Sequence, residues 1–454
     1  MRINTYLTSI ANNLRNILGL SQKMKLLDIR TGLEEIENGV DEENVIISEI
    51  YENIQNKHIG SIELISIPNQ GNLNDVVYGK EMINSYGEIV KGTMINSVDN
   101  FINRTITKLN NDSISFLRPF VFNCCSSLTS VSFHACTSIG EGAFCMCTSL
   151  TSVSFPVCSY IGSAAFSGCS SLTIASFPAC TSIGDSAFID CYSLIFANFP
   201  KCTSIGSVAF DYCESLTSAN FPVCSYIGEG AFYYCSNLTS VSFPVCTSIG
   251  GGAFCMCTSL SSANFPACNY IGESAFFSCY SLTSVSFPVC TSINDVAFGF
   301  CISLTSVSFP VCTSIGGGAF GMCTSLTSAN FPACTYIGQE AFYCCSSLTS
   351  VSFPVCSYIG SAAFGGCNLT SVSFPACTNI DIYAFTACYN LISLTLGASS
   401  VCTLEDITAF DITPMSVSSY IGRYGSIYVP ASLVNAYKSA TNWVMYSSRI
   451  TAIV

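Results

Sequence analysis

Over residues 150–171 the chain reads LTSVSFPVCSYIGSAAFSGCSS, and the slots that stay apolar when the pattern recurs are Leu150, Val153, Phe155, Cys158, Ile161, Ala165, Phe166 and Cys169. Val153 and Phe155 alternate with Ser152 and Ser154, the period-2 sign of a half-buried strand. Pro156 ends that strand, where no ladder N–H is needed. Gly162 follows Ile161 at an expected turn, where glycine supplies positive φ cheaply. No apolar spacing of 3.6 persists over ten residues, so the pattern predicts no long helix within the unit.

The unit recurs. Phe-Pro-x-Cys returns every 22 residues from Phe155 to Phe374, with one spacing of 21 where Cys367-Asn368-Leu369 lacks a residue; Phe133 begins a variant with His134 in place of Pro. A second cysteine, from Cys125 to Cys388, marks the other half of nearly every unit, so 25 of the 30 Cys fall on two ladders. One coil cannot bury its own apolar side, but stacked coils can. Strands of successive coils would pair in parallel at about 4.8 Å, so a dozen coils make a rod of roughly 60 Å. Burying a Val, Leu, Ile or Phe stabilises by about 1.5–3 kcal/mol, and several per coil oppose the ordering entropy of the chain. The expected fold is a β-rich repeat solenoid of about 12 coils of 22 residues, after a small helical or mixed N-terminal region.

Composition divides the chain. Of 454 residues only 9% are charged, and the formal net charge is −13. Beyond residue 119 the basic groups are Lys201, Arg423, Lys438 and Arg449, against 13 carboxylates. That field repels phosphate backbones and anionic headgroups, which argues against nucleic-acid or membrane-surface binding. No stretch approaches the ~18 apolar residues of a membrane span. Asn4, Asn12, Asn13 and Arg15 interrupt any signal-peptide core. The expectation is therefore synthesis in a reducing cytoplasm, with most cysteines as thiols. Three regions follow: 1–118 for attachment or oligomerisation, 119–396 for the solenoid, and 397–454 as a C-terminal cap.

The repeat core Ile139-Gly140, Ala143-Phe144, Cys147 and Leu150 recurs at fixed spacing over about residues 120–396. It resembles the BspA-like (Treponema-type) leucine-rich repeats. That resemblance implies a right-handed leucine-rich-repeat solenoid and a binding or adhesion role, without catalytic residues. Toward the N-terminus, Leu7-Thr8-Ser9-Ile10-Ala11-Asn12-Asn13-Leu14-Arg15 is similar to a module of phage tail and structural proteins. Asp75–Glu81 and Gly87–Met94 look like the G-K…G-x-x-x-x-G-T-M element of tail-fibre proteins. Together these imply a phage or prophage tail-associated protein, assembled in the host cytoplasm and carried on the virion. Residues 1–118 would contact other tail proteins and form a homotrimer, and the solenoid would meet a host-cell surface protein or glycan. The alternative is a bacterial cell-surface adhesin of the BspA-like type.

Leu7, Ile10, Ala11, Leu14, Ile17 and Leu18 trace one helical face that stops at Gly19, and a second helix is expected over residues 24–36. Val45, Ile46, Ile50 and Ile54, then Phe101, Ile102, Ile106 and Leu109, form short apolar faces suited to self-association. After Cys388 the repeat decays; Leu433, Val434 and Tyr437 predict a short capping helix with Ser432 as its N-cap, near the single Trp443.

Catalytic chemistry finds no purchase. The only histidines are His58 and His134, too few for a Ser/His/Asp site, and His134 is read as a surface residue of the first coil. Cys145-Met146-Cys147, Cys255-Met256-Cys257 and Cys344-Cys345 could suggest metal, but zinc needs four ligands and ladder thiols are committed to packing. An ice-binding array would need paired outward Thr, which the strands lack. No enzyme activity, cofactor or metal is expected.

What varies between coils is more informative. The slot before Ile-Gly alternates Ser with Tyr, giving Tyr160, Tyr226, Tyr270, Tyr336 and Tyr358. The pair after the second Phe also varies and includes Asp211-Tyr212, Tyr233-Tyr234 and Tyr343-Cys344. Exposed Tyr supplies contact area at little entropic cost. Tyr160, Tyr226, Tyr233, Tyr234, Tyr270, Tyr336, Tyr343 and Tyr358 are therefore the candidate ligand-binding residues, while the outward Ser, Thr and Asn of the strands are expected to carry little information. Residues 246–279 nearly repeat as 312–345, an offset of three coils.

Overall fold

A computed structural model of the protein describes residues 107–416 and 424–453. The expected helices at 7–18 and 24–36, the tail-fibre-like segments, and the apolar faces at 45–54 and 101–106 lie outside the described residues.

The described chain is a parallel β-solenoid with two strand positions per coil. Three-residue strands such as Ser152–Ser154 alternate with two-residue strands such as Tyr160–Ile161. The two-residue strands build one continuous 14-stranded sheet, from Phe116–Leu117 to Thr403–Leu404. It has more rungs than the repeat count predicts, because both flanks of the regular array join it. Likewise Lys108–Asn110 pairs with Ser130–Ser132 ahead of residue 119, and Ser393–Leu396, Ser426–Val429 and Ile450–Ala452 carry the other ladder through the C-terminal segment. The expected turn at Gly162 is preceded by a strand of two residues, too short to show a period in the sequence.

The longer strands do not form one sheet. Their ladder is interrupted after Ser152–Ser154, Ser218–Asn220, Ser284–Ser286 and Ser350–Ser352, so the described array divides into sheets of three or four strands. The ring spacing across those gaps is 5.8, 5.9, 5.9 and 6.1 Å at Phe155–Phe177, Phe221–Phe243, Phe287–Phe309 and Phe353–Phe374. Inside the sheets it falls to 5.2 Å at Phe199–Phe221 and 5.3 Å at Phe265–Phe287. Val153, Ala219, Val285 and Val351, on the strand before each gap, are only partly buried, whereas Val241 and Val307, on the strand after a gap, and Ala263 and Ala329 within the sheets are buried. A lost rung and a widened ring stack coincide at every third coil.

The core is two columns of Phe, one from each half-coil, flanked by Leu, Ile, Ala and Cys that are almost wholly buried. Successive rings within the second column lie face to face, as at Phe232–Phe254, 5.2 Å apart and 3° from parallel. The two columns meet edge to face, as at Phe254–Phe265. Offset stacks and edge contacts are the arrangements a ring quadrupole favours.

Gly162 is needed for a reason other than the expected one. Its φ is not positive; the positive-φ glycines are Gly142, Gly168, Gly230, Gly252, Gly318 and Gly366. A Cβ on Gly162 would lie 2.7 Å from the Glu141 nitrogen and 2.7 Å from the Gly140 carbonyl carbon, so it is the close approach of the preceding coil that favours glycine.

The positive-φ slots often hold other residues, including the β-branched Val208 at φ 47° and Val296 at φ 48°. β-Branched residues pay heavily there. The following coil accommodates them with Gly230 and Gly318, whose Cβ would come within 2.9 Å of the Val Cγ1 atoms. Val208→Gly is expected to stabilise the protein by about 1 kcal/mol, as relief of left-handed strain outweighs glycine's entropy. A lowered melting temperature for this variant would refute the strain argument.

At the C-terminal end Trp443, Tyr437 and Tyr446 close the columns, all three essentially inaccessible to solvent. The Trp443 Nε1–H donates to the Cys402 carbonyl at 2.6 Å, and the Cys402 N–H donates to the Tyr437 hydroxyl at 2.9 Å. Ser432 is not the N-cap: a 3-10 turn over Ala431–Leu433 leads directly into the helix Val434–Ser439, so the chain is already wound when the helix starts. His134 is exposed as expected, and its Nδ1 faces Asp112.

Candidate recognition surface

Each coil offers a turn after its second Phe and an outward slot on its two-residue strand. The Ser/Tyr slot lies on the 14-stranded sheet with its ring outward, because the next residue, Ile, points into the core. Tyr160, Tyr226, Tyr270 and Tyr336 are 44–47% exposed. Tyr226 pairs with Ser204 and Ser248, and Tyr270 with Ser248 and Ser292, so a small residue separates these two rings. Tyr336 and Tyr358 are direct neighbours, with ring centroids 5.0 Å apart and planes 5° from parallel. Tyr358 is half-buried: its hydroxyl donates to Asp381 Oδ2 at 3.0 Å, and burial together with that carboxylate pushes its pKa up to about 12.

The remaining candidates belong to the turn. Tyr233 and Tyr234 lie beside Tyr212, whose ring is 5.0 Å from that of Tyr234 and 6.0 Å from that of Tyr233. Tyr343 is exposed next to Cys344. The eight tyrosines are thus placed as two sets, one on the sheet and one on the turns. Sequence reading omitted Tyr212 from the candidates, although its 22-residue offset from Tyr234 would have found it. It also omitted Tyr192, whose hydroxyl donates to Asp190 Oδ1 at 2.8 Å. Asp211, beside this cluster, has a buried Oδ1 without a partner, and burial pushes its carboxyl up to about 6.

The strand face needs a correction. It is not uniformly Ser, Thr and Asn: Ile174 and Ile195 are 52% and 49% exposed, and Phe196 is half-buried beside them. Elsewhere its polar residues bond along the ladder, as where Asn220 Nδ2 donates to Asn198 Oδ1 at 2.7 Å.

The cysteines line the interior. Sγ of Cys158 donates to the Tyr160 carbonyl at 3.2 Å, and Sγ of Cys169 to the Phe144 carbonyl at 3.1 Å; the two ladders repeat these bonds coil after coil. All 30 are free thiols, and only Cys124, Cys145 and Cys344 are partly exposed. Burial pushes Cys158 up to about 12 and Cys268 up to about 11, so both stay protonated at neutral pH. Among the described residues no group of three or more His, Cys, Asp or Glu is placed to hold a metal. Titration of the denatured protein without reductant should find more than about 20 free thiols, while the folded protein should react quickly at only a few. A count near zero after denaturation would show the ladders to be oxidised.

Parallel coils of about 22 residues with a buried Leu, Ile, Phe and Cys lining define a leucine-rich-repeat solenoid. Models of the BspA type leucine rich repeat region match residues 115–235, 181–291 and 269–392. The chain belongs to the BspA-type leucine-rich repeat family. A leucine-rich repeat protein from Bacteroides ovatus shares the fold, at 20% identity and a TM-score of 0.50, over 87% of this chain and 99% of that one. A leucine-rich cell surface protein from Faecalibacterium prausnitzii is similar at 19% identity and a TM-score of 0.33, over 76% of this chain and 93% of that one. No curated protein matches the sequence.

Proposed function

We propose that this chain is a non-enzymatic binding protein of the adhesion type, acting at a bacterial cell surface, and that its outward tyrosines make the contact. One observation carries the reading: against a frame of near-identical coils, the slots that vary put large aromatic rings into solvent at a fixed phase of the sheet. Membership of the BspA-type family supports the adhesion class, and a repeat stack with its interior filled by side chains leaves recognition to its surface. A tail-associated role with trimeric attachment through residues 1–118 is the second reading; it rests on the segments 7–15 and 75–94 alone.

The test replaces Tyr226, Tyr233, Tyr234, Tyr270, Tyr336 and Tyr358 by Ser together. The fold should survive, because Ser already fills the strand slot in other coils, at Ser204 and Ser248 for example. Binding to host cells, followed by flow cytometry, should drop by well over about tenfold, in line with the loss of several aromatic anchors. Undiminished binding by the folded variant would move recognition to the Ile174–Phe196 face, the end caps or residues 1–118.

A further inference from the structure

Two of the outward tyrosines on the 14-stranded sheet, Tyr226 and Tyr270, have a carboxylate three residues further along the same coil, where the Tyr160, Tyr336 and Tyr358 coils hold Ser163, Gln339 and Ser361. They are Glu229 and Glu273; Asp185 and Asp295 take the same slot in coils that carry Ser182 and Ser292 in place of Tyr, and all four carboxylates are exposed. Each of these tyrosines and its carboxylate flank a buried Ile-Gly pair, so the two Tyr–Glu pairs lie two coils apart along the same edge of the sheet. No Lys, Arg or His occurs between Lys201 and Arg423, so Glu273 and Asp295 have no cation within their own or the neighbouring coils, and Glu229 has only Lys201, in the coil before it. Asp295 instead accepts from the Gly317 N–H at 2.6 Å, and Asp185 from the Ser207 N–H at 2.7 Å, which fixes these carboxylates in place.

We propose that these two Tyr–Glu pairs form the docking site for an extended, arginine-bearing polypeptide segment of the partner. The inference rests on the adhesion reading above and names the chemistry of what is bound. A guanidinium can lie flat on a Tyr face while its N–H groups reach a carboxylate, and it does both better than an ammonium. Tyr226 and Tyr270 are two coils apart, about 10 Å, and a segment in the polyproline II conformation advances about 9 Å in three residues and returns every third side chain to the same face. Arginines three residues apart therefore meet Tyr226 and Tyr270, and the Ser248 gap between the rings admits the intervening backbone. An unbalanced negative field also speeds encounter with a cationic chain, and salt weakens that attraction. A neutral glycan would lack the positive charge that this field attracts, and its binding would be little affected by salt.

The probe is a synthetic dodecapeptide of four Arg-Gly-Gly repeats, with the Lys-Gly-Gly and Glu-Gly-Gly analogues beside it, titrated onto the full chain. The arginine peptide should bind several-fold more tightly than the lysine peptide, and the glutamate peptide should not bind. Raising NaCl from about 0.05 M to about 0.5 M should weaken binding by more than about tenfold. The double variant E229Q/E273Q, which keeps size and hydrogen bonding, should lower affinity about tenfold, and Y226S/Y270S should do the same. Equal binding of all three peptides, or an unaltered affinity in E229Q/E273Q, overturns the proposal. If host-cell binding is lost in the six-tyrosine variant while E229Q/E273Q binds those cells normally, the adhesion reading stands and the cationic partner falls. If neither set of changes affects host-cell binding, both fall.

Discussion

Gly228→Ala is expected to destabilise the solenoid by more than about 3 kcal/mol, near the top of the range for single substitutions. A Cβ there would lie 2.6 Å from the Gly206 carbonyl carbon and 2.6 Å from the Ser207 nitrogen. Both are backbone atoms, pinned by the rungs of the continuous sheet, so no rotamer change can relieve the clash. Relief has to come from stretching a rung or from a change in coil length. Asp381 and Glu405 hold the equivalent slot in coils that depart from 22 residues, with N–H to carbonyl distances of 3.0 Å, and within the 22-residue array there is one example. Asn294 occupies the equivalent slot, and its N–H reaches the Ile271 carbonyl at 3.2 Å, where Gly228 and Gly250 reach theirs at 2.9 Å. Gly252→Ala is the control. Its φ is +60°, but the nearest atom to an added Cβ is 3.9 Å away, so it should lose only about 1 kcal/mol. Urea denaturation of the two variants decides: equal losses would mean that backbone approach does not restrict this slot.

Phe254→Ala should destabilise by about 3–5 kcal/mol, the sum of lost burial and a cavity that the column cannot close. The ring is stacked on Phe232 and Phe276, each 5.2 Å away, and meets Phe265 edge-on at 5.8 Å. Neither neighbour can move inward, since each is stacked in turn on the next ring of the column. Because stability in such a stack is a sum of coil and interface terms, the loss should appear as earlier melting on both sides of the cavity. Tyr226→Ser, at an exposed position, should change stability by less than about 0.5 kcal/mol. A Phe254→Ala variant that melts like Tyr226→Ser would contradict the packing described.

The regular coil was legible in the sequence because its burial code is simple. Val153 and Phe155 alternate with serines, and that alternation survives as a strand with a buried column behind it. Three features were not legible. Tyr160–Ile161 is too short for any period to identify it as a strand. Gly162 looks like a turn glycine, because the coil that crowds it is 22 residues away. The interruptions after every third coil follow no single residue, since Val153, Ala219, Val285 and Val351 all precede one. At the candidate surface, the outward placement of Tyr160, Tyr226, Tyr270 and Tyr336 followed from their exchange with Ser. The partial burial of Tyr358 did not, because its partner Asp381 lies in the following coil. Tyr212 and Ile174 were passed over by attending to slots rather than to neighbours across coils.

The lone indole gives this chain an unusual optical property. Trp443 sits over the last ring of the column, 6.1 Å from Phe410, and nothing else in the sequence fluoresces as tryptophan does. Its emission therefore reports the state of one terminus, whereas far-ultraviolet dichroism averages over every coil. On heating or in denaturant, the two signals separate if the end frays first and coincide if the stack melts as one. The gap between them is a direct reading of how strongly each coil is coupled to the next.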